Sequence, residues 1–326
     1  MAEWAARIHR HGGPEEFRYE AIALGRPGPG EALVRHSAIG VNFIDVNHRL
    51  GRYPLDDMPR IVGMEGAGRV EAVGAGVASL AVGDRVAYAG QPMGAYATAR
   101  LLPAERLVKL PSDIADELAA AIMLKGMTAQ YLLRGSYRVA PGETVLIHAA
   151  AGGVGQIACQ WAKALGARVI GTVGSAAKAA VARAHGCDEV IVYSREDFAE
   201  RTRQLTGGEG VPVVYDSVGA ATFEGSLRCL RPRGMLVSYG YSSGLLPPFD
   251  LFRLNHMGSL YVTCASLFTY TASRADLLAS AAELFQVIRS GQVKIDIVAR
   301  HALADADKAH RALESRASAG PMLLMP

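Results

Sequence analysis

The chain has 326 residues, 50% of them hydrophobic and 20% charged, and its 34 basic and 31 acidic side chains leave a formal net charge of +3. This is enough apolar material for two cores and excludes a disordered chain. No long Lys/Arg run stands apart from the acids, which argues against a nucleic-acid partner.

Met1 to Gly13 mixes Arg7, His9, Arg10 and His11 with brief apolar pieces and has no signal-peptide core. Residues 1 to about 125 read as β-rich and turn-rich. Pro27-Gly28-Pro29-Gly30 is a turn before Glu31 to His36, which alternates like a strand; Ile61 to Gly74 and Val82 to Tyr88 follow. Glycines at short intervals inside strands predict bulges and tight corners, as in a small curled barrel. A helix is expected over Asp113 to Ala121, and Ala120 to Tyr131 is expected to run through a domain junction. Tyr137 to Gly142 is a polar turn.

Val145-Leu146-Ile147 is then an apolar strand, followed by small residues that let the chain turn sharply into a helix. Ala150, Gly152 and Gly155 occupy the G-x-G-x-x-G positions of the dinucleotide fingerprint, with alanine at the first. A bare Gly152 lets a pyrophosphate approach the main chain, where helix N–H groups and the positive dipole end favour negative charge, and Gly155 lets helix and strand pack closely. Ala158, Trp161, Ala162 and Leu165 continue the helix, Gly166 stops it, and Val169-Ile170 begins a second strand, so the motif sits in a βαβ unit of the expected length. An NAD site places Asp or Glu at the end of that second strand. Here the strand ends Gly171-Thr172-Val173-Gly174-Ser175, no acid occurs from Gln156 to Cys187, and Lys178 lies one turn into the next helix. That pattern favours NADPH over NADH.

Val190 to Tyr193, Val213 to Gly219 and Met235 to Gly240 are three further strands spaced by helical segments, which predicts a doubly wound sheet of five or six strands. Tyr193, Ser217 and Tyr239 stand at strand ends, where ligands of such sheets bind. The uncharged stretch Met235 to Phe249 carries glycines and Pro247-Pro248 and does not suit a bilayer span, so no membrane segment is expected; with no signal-peptide core at the amino end, a cytoplasmic location is expected. Ser273 is expected to cap a helix whose Leu277, Leu278, Ala281, Leu284, Phe285 and Ile288 form one face, and Ala304 to Ser315 is a second helix. Cys159, Cys187, Cys229 and Cys264 have no paired spacing and read as reduced residues.

His11 to Glu15, Ala38 to Asp45, Gly83 to Val86, His148 to Ala167, Val214 to Gly219 and Gly258-Ser259-Leu260 together resemble the medium-chain dehydrogenase/reductase superfamily, and within it the zinc-independent quinone oxidoreductases related to zeta-crystallin. The resemblance implies an α/β chain with a GroES-like, partly open β-barrel catalytic domain over 1–125 and 265–326. An inserted Rossmann domain with a doubly wound parallel sheet is expected over 126–264. It also implies a homodimer joined through Rossmann sheet edges. In the zinc branch a G-H-E histidine is a metal ligand; here that position reads Gly63-Met64-Glu65, and the region of the first ligand supplies Asn42 and Asp45 without cysteine. No metal is expected, and Glu65 reads as a structural carboxylate.

Without a metal, hydride delivery from NADPH suits an electron-poor quinone, whose developing oxygen charge is spread through the ring. By resemblance Asn42 and Asp45 line the pocket near the nicotinamide, Tyr53 flanks it and Thr128 approaches the carboxamide. Gly153 and Val154 meet the pyrophosphate; Gly174, Lys178 and Tyr193 surround the 2′-phosphate; Ser217, Tyr239, Tyr241, Ser242, Ser266, Leu267 and Arg316 complete the nucleotide cleft. Asp45 is equally readable as a hydrogen-bonded structural residue. Two positions depart from the bacterial pattern, Asn47 in place of tyrosine and Cys264 in place of arginine. The competing readings are a reductase of α,β-unsaturated ketones or aldehydes and a nucleotide-binding structural or RNA-binding protein.

Overall fold

The computed structural model describes residues 2–55, 57–315 and 320–326. They divide into two units, one formed by residues 1–127, 271–285 and 295–326, the other by residues 128–270 and 286–294.

The first unit is built on antiparallel strands. β1 (Glu3–Ile8) pairs with β2 (Phe17–Ile22), and its Ala5, Ala6 and Ile8 are buried. β1 lies inside the region read only as lacking a signal peptide, because six residues carrying two charges alternate too briefly to announce a strand. β3 (Glu31–Val41) alternates as expected through Ala32, Val34 and His36 and continues to Val41, further than its sequence period. Helix α1 (Phe43–Arg49) follows, then β4 (Arg60–Ile61), β5 (Glu65–Val73), β6 (Arg85–Ala89), β7 (Ala99–Pro103) and β8 (Val108–Lys109). β3 pairs with both β5 and β7. The β3/β5 register shifts between His36 and Ala38, beside Gly68, whose missing side chain would lie 2.8 Å from the Arg35 carbonyl carbon. This is the bulge that a strand glycine predicts. Helix α2 spans Asp116–Tyr131 as one element, starting three residues later and ending ten residues beyond the expected Asp113 to Ala121.

The second unit is a parallel sheet. Its strands are β9 (Thr144–Ile147), β10 (Arg168–Val173), β11 (Glu189–Val192), β12 (Val211–Asp216), β13 (Leu230–Ser238) and β14 (Tyr261–Cys264). Between them run α3 (Gly153–Ala164), α4 (Ala176–Ala184), α5 (Phe198–Leu205), α6 (Phe223–Cys229) and the short α7 (Phe252–His256). Among the described residues the spatial order is β11-β10-β9-β12-β13-β14, the doubly wound arrangement whose order reverses beside β9, where such sheets bind their ligands. Leu146, Ile170, Ile191, Val214, Phe223 and Leu236 fill its core; each such side chain contributes on the order of 2 kcal/mol by leaving water. β13 begins five residues before the expected Met235, and β14 is a sixth strand that the sequence reading did not name.

After α8 (Leu267–Tyr270) the chain completes the first unit. Ser273 accepts a hydrogen bond from the Asp276 N–H at 3.1 Å at the start of α9 (Arg274–Arg289). Leu277, Ala281, Leu284 and Phe285 are buried, but Leu278 is 41% exposed. It sits about 100° around the helix from Leu277, on the flank of the stripe, while Ser280 and Val287 are buried. Gly126 of α2 exists for this packing, since a Cβ there would collide with the Leu284 side chain. β15 (Ala299–Ala302), α10 (Ala306–Glu314) and β16 (Met322–Met325) follow, and β16 lies against β3 with Met322 opposite Val41. Ile8, Val34, Ile39, Val86, Tyr96 and Leu324 share the resulting core.

Candidate functional site

In the second unit, apolar β9 delivers the chain into the turn His148 to Gly152. Ala149 there adopts φ 50°, and the Gly152 N–H closes the turn on the Ala149 carbonyl at 2.8 Å. Gly152 is the N-cap of α3 and has no side chain with which to satisfy the helix's first N–H groups, and no acid stands in the first turn. Gly153 and Val154 therefore open a twelve-residue helix with N–H groups suited to an anion. Gly155 is required by packing: a Cβ there would fall 2.8 Å from Ala150 Cα and closer still to the Ala149 carbonyl oxygen. Ala150 is tolerated where the fingerprint has glycine because its neighbour on β10 is Gly171, whose own absent Cβ would lie 2.7 Å from that of Ala150.

The turn is braced from below. His148 is buried between the Thr172 hydroxyl at 2.7 Å and the Ser226 hydroxyl at 2.9 Å; Ser226 and Thr222 both donate to Asp216, whose other oxygen accepts the Val218 and Gly219 N–H groups. Burial pushes the His148 imidazole below its usual pKa, with Asp216 opposing. Sequence reading missed Asp216 and His148 as a pair, although both stand at the strand ends that it singled out.

The strand ends gather most of the expected nucleotide residues. At the end of β10 the Ser175 hydroxyl accepts from the Lys178 N–H at 3.4 Å, and Lys178 is half-buried. Tyr193 sits against Gly174, its hydroxyl oxygen 2.7 Å from where a Cβ would be. Over β12 and β13, Tyr239 hydrogen-bonds Ser217 and burial raises its phenol pKa; the Ser242 N–H donates to the Ser217 carbonyl at 3.2 Å. Tyr241 meets Cys264 at the end of β14, with 2.6 Å between hydroxyl and Sγ. Ser266 is exposed and Leu267 buried at α8. Thr128 is buried on α2. Arg316 lies outside the described residues.

The first unit holds Asn42, Asp45 and Tyr53. Asp45 is fully buried; one carboxylate oxygen accepts from the Asn42 N–H at 2.9 Å, the return half of a capping box, and from the Tyr96 hydroxyl at 3.1 Å. Burial, reinforced by the Glu65 charge, raises its pKa to about 7 against the pull of Asn42, Tyr96 and Lys125. Tyr96 also contacts His310 at 3.0 Å, and His310 is held neutral by burial and the Arg49 charge. Tyr53 is half-buried, with its ring 5.6 Å from that of His48.

Glu65 is a hub. One oxygen accepts from Asn42 Nδ2 at 2.8 Å and Lys125 Nζ at 2.6 Å, the other from the Leu124 N–H at 2.7 Å. Lys125 was not among the expected site residues. Its signal was present, a single charge inside the apolar helical run Ala119 to Met127. Met64, at the position where the zinc branch has histidine, is fully buried.

Two family models match the chain, an alcohol dehydrogenase GroES-like domain over residues 28–112 and a zinc-binding dehydrogenase over residues 153–284. A quinone oxidoreductase of Pseudomonas aeruginosa is 52% identical over 97% of both chains. A 2-haloacrylate reductase of a Burkholderia species is 46% identical over 99% of this chain and 98% of its own. The crystal structure of Escherichia coli quinone oxidoreductase complexed with NADPH superposes with a TM-score of 0.97 at 48% identity, covering 99% of this chain and all of the other.

Proposed function

Since the chain belongs to the quinone oxidoreductase family of the medium-chain dehydrogenase/reductases, we propose that it is an NADPH-dependent quinone oxidoreductase that works without zinc. The observation that carries this reading is the nucleotide cradle: a glycine-capped helix N-terminus for the pyrophosphate, and beside it a rim of Gly174, Ser175, Lys178 and Tyr193 with no carboxylate from Gln156 to Cys187. When bound, NADPH supplies the hydride. Gly152, Gly153 and Val154 hold the pyrophosphate, Lys178 and Tyr193 the 2′-phosphate, and Ser217, Tyr239, Tyr241, Ser242, Ser266, Leu267 and Arg316 the rest of the nucleotide.

In this reading the GroES-like domain, 1–125 and 265–326, handles the acceptor, and the Rossmann domain, 126–264, the coenzyme. Asn42, Tyr53 and Thr128 serve the reacting end. Asp45 acts on Asn42 from behind, as its full burial and its bond to the Asn42 N–H support. The protein works as a homodimer joined along the outer edge of β14, where Tyr261 is 57% exposed. No helix of the described residues is long and apolar enough to cross a membrane, and the four cysteines are free thiols, which fits a reducing cytoplasm.

Steady-state assays with NADPH should show faster turnover of 1,4-benzoquinones than of enones or acrylates. Preferential reduction of the activated alkenes would replace the quinone reading with the competing one, which the 2-haloacrylate reductase likeness keeps specific. Lys178→Ala should raise the KM for NADPH by roughly tenfold, about the worth of one charge-assisted phosphate contact, and leave that for NADH within twofold. Equal losses for both coenzymes would remove Lys178 from the phosphate site.

A further inference from the structure

Around Glu65 two buried polar groups keep unused hydrogen-bonding capacity: Asp45 Oδ1, which has no partner among the described residues, and the Lys125 ammonium. Both carboxylate oxygens of Glu65 are occupied, and the Asn42 amide is bonded to it. Lys125 brings three N–H donors to the cluster, and among the described residues they meet one acceptor, Glu65 Oε1 at 2.6 Å. The side chain is 7% exposed, while that of Glu65 is 0%. An ammonium buried this far without acceptors for two donors is costly. A Lys/Glu pair serving only to join β5 to α2 could be replaced by apolar side chains with little loss. Asn42 Nδ2 and Lys125 Nζ both donate to the same oxygen, so they are neighbours.

We propose that Lys125 is a catalytic residue of the reduction, its two spare N–H donors binding the acceptor oxygen on which negative charge accumulates as hydride arrives. The proposal rests on the reading above that Asn42 faces the acceptor. The Leu124 N–H fixes Glu65, and Glu65 holds the ammonium in place, so the donors are aimed before the acceptor binds. No bond to Lys125 forms or breaks: the acceptor gains the hydride, water supplies the proton that completes the hydroquinone, and the ammonium keeps all three of its own. In the zinc-independent reading above, this role supplies the positive charge that a Lewis acid would otherwise provide.

The test separates that role from simple neutralisation of Glu65. Lys125→Met strands a buried carboxylate and should lose both thermal stability and turnover. The double variant Lys125→Met/Glu65→Gln removes both charges at similar volume and should recover a melting temperature within a few degrees of wild type. Its kcat for quinones should stay roughly 100-fold down, the usual cost of one oxyanion donor, with the NADPH dissociation constant within twofold by fluorescence titration. Loss should be steepest for quinones of lowest potential, which carry the most localised charge. 4-Nitrophenolate, read by its absorbance on the coenzyme-bound enzyme, should bind wild type at least about tenfold tighter than the double variant, the scale of one charge-assisted hydrogen bond. Recovery of kcat in the double variant, or equal phenolate binding, would reduce Lys125 to the counter-ion of Glu65. A wild-type enzyme that turns over no quinone would instead overturn the parent reading.

Discussion

Acidification from pH 6.5 to 4 will unfold the first unit before the second. His36, His48 and His310 are buried in the first unit with pKa values pushed down to about 4, about 4 and about 3, in each case chiefly by loss of water and secondarily by nearby arginines. A histidine depressed in the native state stabilises the fold above its unfolded pKa near 6.5, and that contribution disappears as pH falls towards the native value. Asp45, raised to about 7, works the other way: the native state holds a proton that the unfolded state releases above about pH 4, so acidification gains stability from it. Three protons against one leave a net of two, or about 3 kcal/mol lost per pH unit in the first unit. The second unit contains His148, whose pKa is lowered by burial, and a single histidine can contribute at most one proton, so its slope stays at or below about 1.4 kcal/mol per unit. The two tryptophans divide the same way, with Trp4 in the first unit and Trp161 in the second. Urea unfolding of Trp161→Phe, read through Trp4, should show the steeper pH slope, and Trp4→Phe, read through Trp161, the shallower. Stability that is flat between pH 6.5 and 5 in both would mean that the histidines are not buried neutral.

Gly155→Ala and Gly152→Ala should part company, although both remove a fingerprint glycine. At Gly155 the added carbon meets main-chain atoms of Ala149 and Ala150, which cannot rotate aside, so helix α3 must move off β9. A loss of about 3 kcal/mol is expected, at the upper end for overpacking, and with it the coenzyme. At Gly152 the nearest atom to a Cβ is the Ala149 carbonyl oxygen at 3.1 Å and the backbone is extended, with φ −80°. That variant should fold with nearly unchanged stability and lose NADPH affinity alone, because the methyl stands where the pyrophosphate must approach. Differential scanning fluorimetry with and without NADPH distinguishes them; a stable Gly155→Ala would contradict the packing argument.

The nucleotide half was legible because several signals at different scales coincide there: an apolar run, glycines at fixed offsets, a 3.6-residue period and a second strand. The acceptor half was less so. β1 is six residues with two charges, and β14 ends at Cys264 without a turn signal. Leu278 misled because an apolar residue next to a helical stripe reads as part of it. Lys125 was passed over because periodicity scores apolar positions and treats one charge among them as noise. What made it conspicuous in three dimensions was a carboxylate sixty residues away in sequence, a distance that no local pattern spans.

The pairing of Met322 with Val41 also bears on biosynthesis. All six strands of the nucleotide unit leave the ribosome before β15 and β16, whereas the Ile39–Val41 end of β3, paired early with β5 on one side, must wait until residue 322 has been translated before its other neighbour exists. The interior insertion therefore has everything that its sheet requires while the flanking halves are still apart. During that interval an apolar strand edge is open to chaperones and to other nascent chains.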